Sequence, residues 1–267
     1  MRQPYVAGSF YPDDPKVLAR ELEALSPEIP GAKKETAIGA VVPHAGYLYS
    51  GRVAGEVYGR IKGRKTFVII GPNHTGRGRS FSLSRENWLT PLGEVKIDNV
   101  LASAIMERAP MVSDDASAHD GEHSIEVQLP FIQKFFPDAG IVPICVSSKN
   151  MSELKTVAEA IAVSAKCMDV DIAVLASSDM THYETRQSAS KKDKEAIDVL
   201  LSMDAVGLAK TIDEKNISMC GWAPTVIMIL AAMELGAVKA RLVRYADSGE
   251  ITGNTSEVVG YAGIIVS

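Results

Sequence analysis

The chain reads as an α/β protein, a three-layer sandwich in which a mostly parallel mixed sheet carries helices on both faces. Three observations predict this. Six short apolar runs alternate with longer stretches of helical period, the pattern of strand–helix–strand units. Most of the runs are continuously apolar rather than alternating, as expected of strands covered on both faces. The last two runs follow each other too closely for a crossover helix, so one sheet edge is expected to be antiparallel.

The predicted strands are 37–42, 66–71, 140–146, 171–177, 240–246 and 259–266. Helices are predicted over 50–62, opening on Ser50 as N-cap; over 152–167, with Glu153 in a first turn that favours negative charge; and over 191–203 and 222–235. A further helix is expected to begin at Glu122 or His123 and run through SIEVQLPFIQKFF, interrupted by Pro130. The turn-rich stretch 26–36 is too short and too early to act as a domain linker, and no repeat or low-complexity linker is visible, so a single domain over 1–267 is expected.

Composition bounds the function. Of 267 residues, 46% are hydrophobic and 23% charged, which supports a sizeable core and excludes a disordered or coiled-coil chain. The 28 basic and 33 acidic side chains give a net charge of −5, which argues against a general nucleic-acid binder. Cys145, Cys167 and Cys220 are too few and too scattered for a disulfide framework and suit a reducing compartment. Cys145 and Cys167 read as small buried hydrophobes. The first residues lack the apolar segment of a signal peptide, and the longest apolar stretch, 223–233, falls short of the ~18–20 residues that span a bilayer. A cytoplasmic protein with no membrane or nucleic-acid partner is expected.

Sites in open α/β sheets form in loops leaving the carboxyl ends of strands. Three of the five histidines fall there: His44 in VVPHAGYLYSG, His74 in IIGPNHTG and His182 in ASSDMTHY, with Asp179 three residues before His182. Three imidazoles at equivalent strand ends point to a shared site. Cys220, in SMCGWAPTVIMIL, stands where a helix begins, a place that favours the thiolate, the form that binds metal or attacks electrophiles. HDGEH matches the H-x-x-E-H zinc-peptidase pattern, but Gly121 and the loop-like residues before it argue against two histidines sharing a helix face. His123 and Glu126 are expected to border the pocket, and His119 to lie in solvent. Tyr47, Trp88 and Trp222 suit either a pocket wall or the core, and Asn73 lies beside His74.

Several blocks together resemble the Memo family, which is related in fold to the class III extradiol dioxygenases. They are Arg2 with Pro4 and AGSFYP, PHAGYLYSG, GPNHTG, DGEHSIEVQLPFI, SSDMTHY and CGWAP, spread over nearly the whole chain. The resemblance implies a dioxygenase-like fold with one deep pocket lined by His123, Tyr47, Asn73 and Trp222. It implies a metal held by His44, His74 and Cys220, with Asp179 and His182 as catalytic groups and His182 as the acid/base histidine. It also implies an unidentified small molecule or peptide as ligand and a functional link to a radical-SAM protein. The dioxygenases use two histidines and a carboxylate, whereas a thiolate would stand third here, so ring cleavage does not carry over. Two histidines and a cysteine suit iron or copper, with zinc as a further choice.

Three functions remain open on the sequence. The first is a metal-dependent redox or oxygen-using enzyme. The second is a non-catalytic module that binds a peptide, metabolite or metal on the same scaffold. The third is nucleophilic catalysis by Cys220 with His44 or His74 as base.

Overall fold

A computed structural model describes residues 1–27 and 34–267. In chain order the elements are α1 (Pro15–Leu25), β1 (Gly39–Val42), α2 (Tyr47–Tyr58), β2 (Thr66–Pro72), β3 (Phe81–Leu83), β4 (Trp88–Thr90), β5 (Gly93–Val95), α3 (Asn99–Arg108) and β6 (Val112–Asp114). They continue with α4 (Leu129–Phe135), β7 (Gly140–Val146), α5 (Met151–Met168), β8 (Ile172–Ser177), β9 (His182–Glu184), α6 (Arg186–Leu201), α7 (Ala205–Glu214), α8 (Trp222–Glu234), β10 (Ala240–Asp247), α9 (Gly249–Thr252) and β11 (Val258–Val266). Some of the predicted turn at 26–36 lies outside the described residues.

The main sheet runs β10–β11–β1–β8–β2–β7–β3–β6, with β9 paired to β11 off that path. Its centre, β1–β8–β2–β7, is parallel throughout. On one side β11 joins β1 antiparallel and β10 closes the edge antiparallel, as expected from the short connection between the last two strands. On the other side β3 joins β7 antiparallel and β6 closes the edge parallel to β3.

Alternation along the strands divides two cores. In β2, Phe67 and Ile69 pack with the face covered by α1, α2 and α4. Val68 and Ile70 point the other way, toward α3, α5, α7 and α8. Both faces of the strand are thus packed in apolar cores, which is why residues 67–70 read as an unbroken hydrophobic run. The predicted mixed α/β sandwich is the observed architecture.

Local differences have physical causes. The helix expected from Ser50 starts earlier, at Tyr47, behind Gly46, and the Ser50 hydroxyl donates to the Ala45 carbonyl instead of capping. The stretch expected to be one helix from residue 122 remains non-helical until a single 3₁₀ turn at Glu126–Gln128. There α4 begins with Pro130 in its first turn, where the missing N–H breaks no bond. α5 starts behind Asn150, whose side chain accepts from the Ser152 and Glu153 amides. α6 starts behind Thr185, earlier than expected. Cys145 is buried as expected, whereas Cys167 is exposed in the last turn of α5 and does not belong to the core.

Candidate metal centre

The parallel centre of the sheet delivers three side chains to one edge. His44 stands two residues past β1, His74 two past β2 and Asp179 two past β8. Two glycines then let other loops close onto that edge. A Cβ on Gly71 would collide with the Ser124 side chain, so glycine there admits the 120–125 loop carrying His123. A Cβ on Gly221 would collide with the Ser177 carbonyl and the Ser178 side chain, so glycine there seats the loop carrying Cys220 against the end of β8.

The result is a cluster of imidazoles. Ring centroids lie 5.2 Å apart for His44 and His74, 5.5 Å for His44 and His123, and 4.9 Å for the stacked pair His74 and His123. One nitrogen from each of the three rings lies within 4.8 Å of the others. Cys220 Sγ is 3.3 Å from His44 Nε2 and accepts a hydrogen bond from the Asp179 amide at 3.3 Å. Nitrogens bound at ~2.0–2.1 Å to one tetrahedral metal sit roughly 3.4 Å apart. The cluster is therefore slightly open, with His44 buried and His74 and His123 on its more exposed side.

Two of the rings are hydrogen-bonded from behind. His44 has its amide on Asp179 Oδ1 at 2.8 Å and its Nδ1 2.9 Å from Ser177 Oγ. His74 donates its amide to Glu122 Oε2 at 2.6 Å and has Nδ1 3.0 Å from Glu122 Oε1. The same carboxylate accepts the amides of His123 and Ser124 at 3.0 and 2.9 Å. A carboxylate behind an imidazole fixes the Nδ1–H tautomer and leaves Nε2 bare, the usual support of a metal-ligating histidine.

Electrostatics follow from these contacts. Burial would raise the Glu122 pKa, but the His74 ring and the backbone N–H donors hold it down at about 2. Burial alone would depress His74, yet the Glu122 hydrogen bond and charge outweigh it and raise its pKa. His44 is pushed well below its ordinary range by burial and by the neighbouring His74 and His123, so it stays neutral. His123 is lowered by burial. Burial lifts Asp179 to about 6 against the pull of the His44 and Ala45 amides. Burial, then the Asp179 carboxylate, push the Cys220 thiol up. The thiolate expected from a helix start is thus not favoured in the free protein, because burial of the sulfur, helped by the charge of Asp179, outweighs the Asp179 and Gly221 amides and the Ser178 hydroxyl that would stabilise it.

The remaining site candidates divide. His182 lies in β9 with Nδ1 donating to the Ser218 carbonyl at 3.0 Å, which leaves Nε2 outside that bond. Trp222 and Cys220 help line a cavity of about 610 Å³. Tyr47 is buried, gives its hydroxyl proton to the Val127 carbonyl at 2.7 Å and packs on Tyr11 and Phe131, so it belongs to the core. Asn73 spends its side chain within its own loop, donating to Arg77 O at 2.6 Å and accepting from the Gly76 amide at 2.8 Å.

His119 is not in solvent. It is 1% exposed, bonds Ser82 O through Nε2 at 3.1 Å and meets Trp88 edge-on. Glu126 does not border the cluster through a free carboxylate, because Arg2, Tyr11 and the amides of Tyr5 and Val6 consume it. Sequence reasoning missed Glu122, Ser177 and Gln128 as supports. Only Glu122 had a signal, its place between His119 and His123 in HDGEH, and that signal suggested a different role.

Comparison with known proteins places the chain. The family described as Memo-like protein matches residues 2–265. A MEMO1 family protein of Methanosarcina acetivorans is 43% identical over 267 residues, covering 100% of this chain and 99% of that protein. One from Archaeoglobus fulgidus is 42% identical over 265 residues, covering 99% of each. The crystal structure of uncharacterized protein JW3007 from Escherichia coli K12 shares the fold, with a TM-score of 0.59 at 13% identity over 85% of this chain and 98% of that one. Among the described residues no helix is long and apolar enough to cross a membrane. The chain belongs to the Memo family.

Proposed function

We propose that the protein holds one divalent or redox metal ion between His44, His74 and Cys220, and that the centre serves a metal-dependent redox or oxygen-using reaction. The observation that carries the reading is the convergence of imidazole nitrogens within 4.8 Å of one another, with the Cys220 sulfur 3.3 Å from one of them. His123 is the alternative third donor. The donor set suits iron, copper or zinc, and the supports behind His44 and His74 are those a ligating histidine needs. Bound there, the metal supplies Lewis-acid or redox activation of a ligand.

The chain's own groups have separate tasks. Asp179 orients the site, its carboxylate taking the His44 amide and its amide meeting the Cys220 sulfur. His182, its Nδ1–H held by the Ser218 carbonyl, presents Nε2 and moves a proton to or from the bound ligand. That ligand is an unidentified small molecule or peptide. A second reading, a binding module without turnover, is favoured by one observation: both oxygens of Glu122, the carboxylate nearest the rings of His74 and His123, are committed to His74 and to backbone amides, so it is not free to complete a dioxygenase-type ligand set.

Elemental analysis of untagged protein purified without oxygen tests the proposal. We expect one metal per chain in the wild type, loss in Cys220→Ala and retention in His123→Ala. Equal emptiness of wild type and Cys220→Ala contradicts it. Loss in His123→Ala with retention in Cys220→Ala replaces the sulfur by a third histidine.

A further inference from the structure

Ser177 is the last residue of β8 and is fully buried. Three neighbours surround its hydroxyl oxygen: the Ser124 carbonyl at 2.6 Å, Gln128 Nε2 at 2.9 Å and His44 Nδ1 at 2.9 Å. Its one proton has one possible direction that leaves no clash. A carbonyl only accepts, so a Ser177 oxygen lone pair facing Ser124 O at 2.6 Å would be repulsive, and the proton must lie on that contact.

Gln128 is fixed in turn. Its Nε2 also reaches the Pro43 carbonyl at 3.0 Å, and its Oε1 takes the Tyr58 hydroxyl proton at 2.9 Å. The opposite amide orientation would set oxygen against the Pro43 carbonyl oxygen. Nε2 therefore donates to Ser177, whose remaining contact, with His44, must be one in which the serine oxygen accepts. His44 Nδ1 consequently carries the proton, and Nε2 is left bare beside Cys220.

We infer that Ser177 and Gln128, backed by Tyr58, are positioning residues that lock His44 in the Nδ1–H tautomer and aim its Nε2 lone pair at the metal position. The inference rests on the proposed metal site for its purpose but not for its geometry. All three residues are buried. The two histidines proposed as ligands are thus prepared differently. A carboxylate backs His74, whereas a neutral hydroxyl backs His44, so the protein adds no negative charge behind the more deeply buried ring.

The test is nitrogen-15 NMR of histidine-labelled, metal-free protein, together with zinc titration of the same samples. In the wild type the His44 ring is expected as the Nδ1–H tautomer. Ser177→Ala is expected to lose that single-tautomer signature and to weaken zinc by roughly 10–100-fold. Gln128→Met should shift the signature less, and Ser177→Thr, which keeps the hydroxyl, should restore it. A wild-type His44 protonated on Nε2 overturns the inference, whether or not any variant folds. Where the wild type binds zinc, equal binding by Ser177→Ala also overturns it. A wild type with the expected tautomer but no metal affinity instead leaves the relay standing and defeats the metal reading.

Discussion

Two buried carboxylates four residues apart, Glu126 and Glu122, show how differently one stretch of chain can use the same group. Glu126 is completely buried and takes the Arg2 guanidinium at 2.7 Å, the Tyr11 hydroxyl at 2.7 Å and the amides of Tyr5 and Val6 at 2.9 and 3.0 Å. Arg2 closes its own valences on the carbonyls of His119 and Glu122 and lies over the Trp88 ring. These hydrogen bonds all end on protein groups, and the effect is to strap the amino-terminal segment across the 119–126 stretch. Glu122 is as buried, but its hydrogen bonds lead outward to the His74 ring, whose other nitrogen faces its neighbours in the cluster. A saturated buried network holds a fold together. One that ends on bare lone pairs is arranged for something that binds there.

Substitutions can break this comparison, and the clasp should respond most strongly. Glu126→Ala leaves the Arg2 charge buried and unpaired and should cost about 3–5 kcal/mol in denaturant unfolding. A loss below about 1 kcal/mol would mean that the clasp does not hold the amino-terminal segment in place. Glu122→Gln should act on the cluster, lowering zinc affinity roughly 10–100-fold. It should also change the acid limb of stability. Because the Glu122 carboxyl is held at about 2 against an ordinary 4.5, its contribution is fully present above 4.5 and fades as pH falls toward 2. The stability difference between wild type and Glu122→Gln should therefore shrink over that window, and a difference constant from pH 6 to pH 3 would contradict the assignment.

Two histidines sharpen the contrast further. His119→Phe removes one buried hydrogen bond, to Ser82 O, and should cost about 1 kcal/mol with metal content unchanged. His123→Phe should be the mildest for folding, within about 0.5 kcal/mol, because the ring is partly exposed and its packing on Phe10 survives. The reverse ranking would show that the cluster bears structural load and the clasp does not.

The sheet was legible because its central strands are buried on both faces and so read as uninterrupted apolar runs. β7 was read to the residue, and β2 and β8 to within one. Strands β3 to β6 and β9 escaped because three residues give no period to read. In the site, His44 and His74 were visible because each follows a recognisable strand. Cys220 was visible because it precedes a recognisable helix. Ser177 and Gln128 were not, because what distinguishes them is the identity of partners 49 to 133 positions away. His119 misled for the same reason: its polar neighbours suggested solvent, while the Trp88 and Ser82 that bury it lie more than 30 positions away.

The most direct test of the metal reading is anomalous diffraction from crystals of the protein grown and kept without oxygen, collected on both sides of the iron, copper and zinc absorption edges. We predict one strong peak at ~2.0–2.3 Å from His44 Nε2, from a His74 ring nitrogen and from the Cys220 sulfur. Absence of a peak in fully metal-supplemented crystals, or a peak that touches neither His44 nor His74, would contradict it.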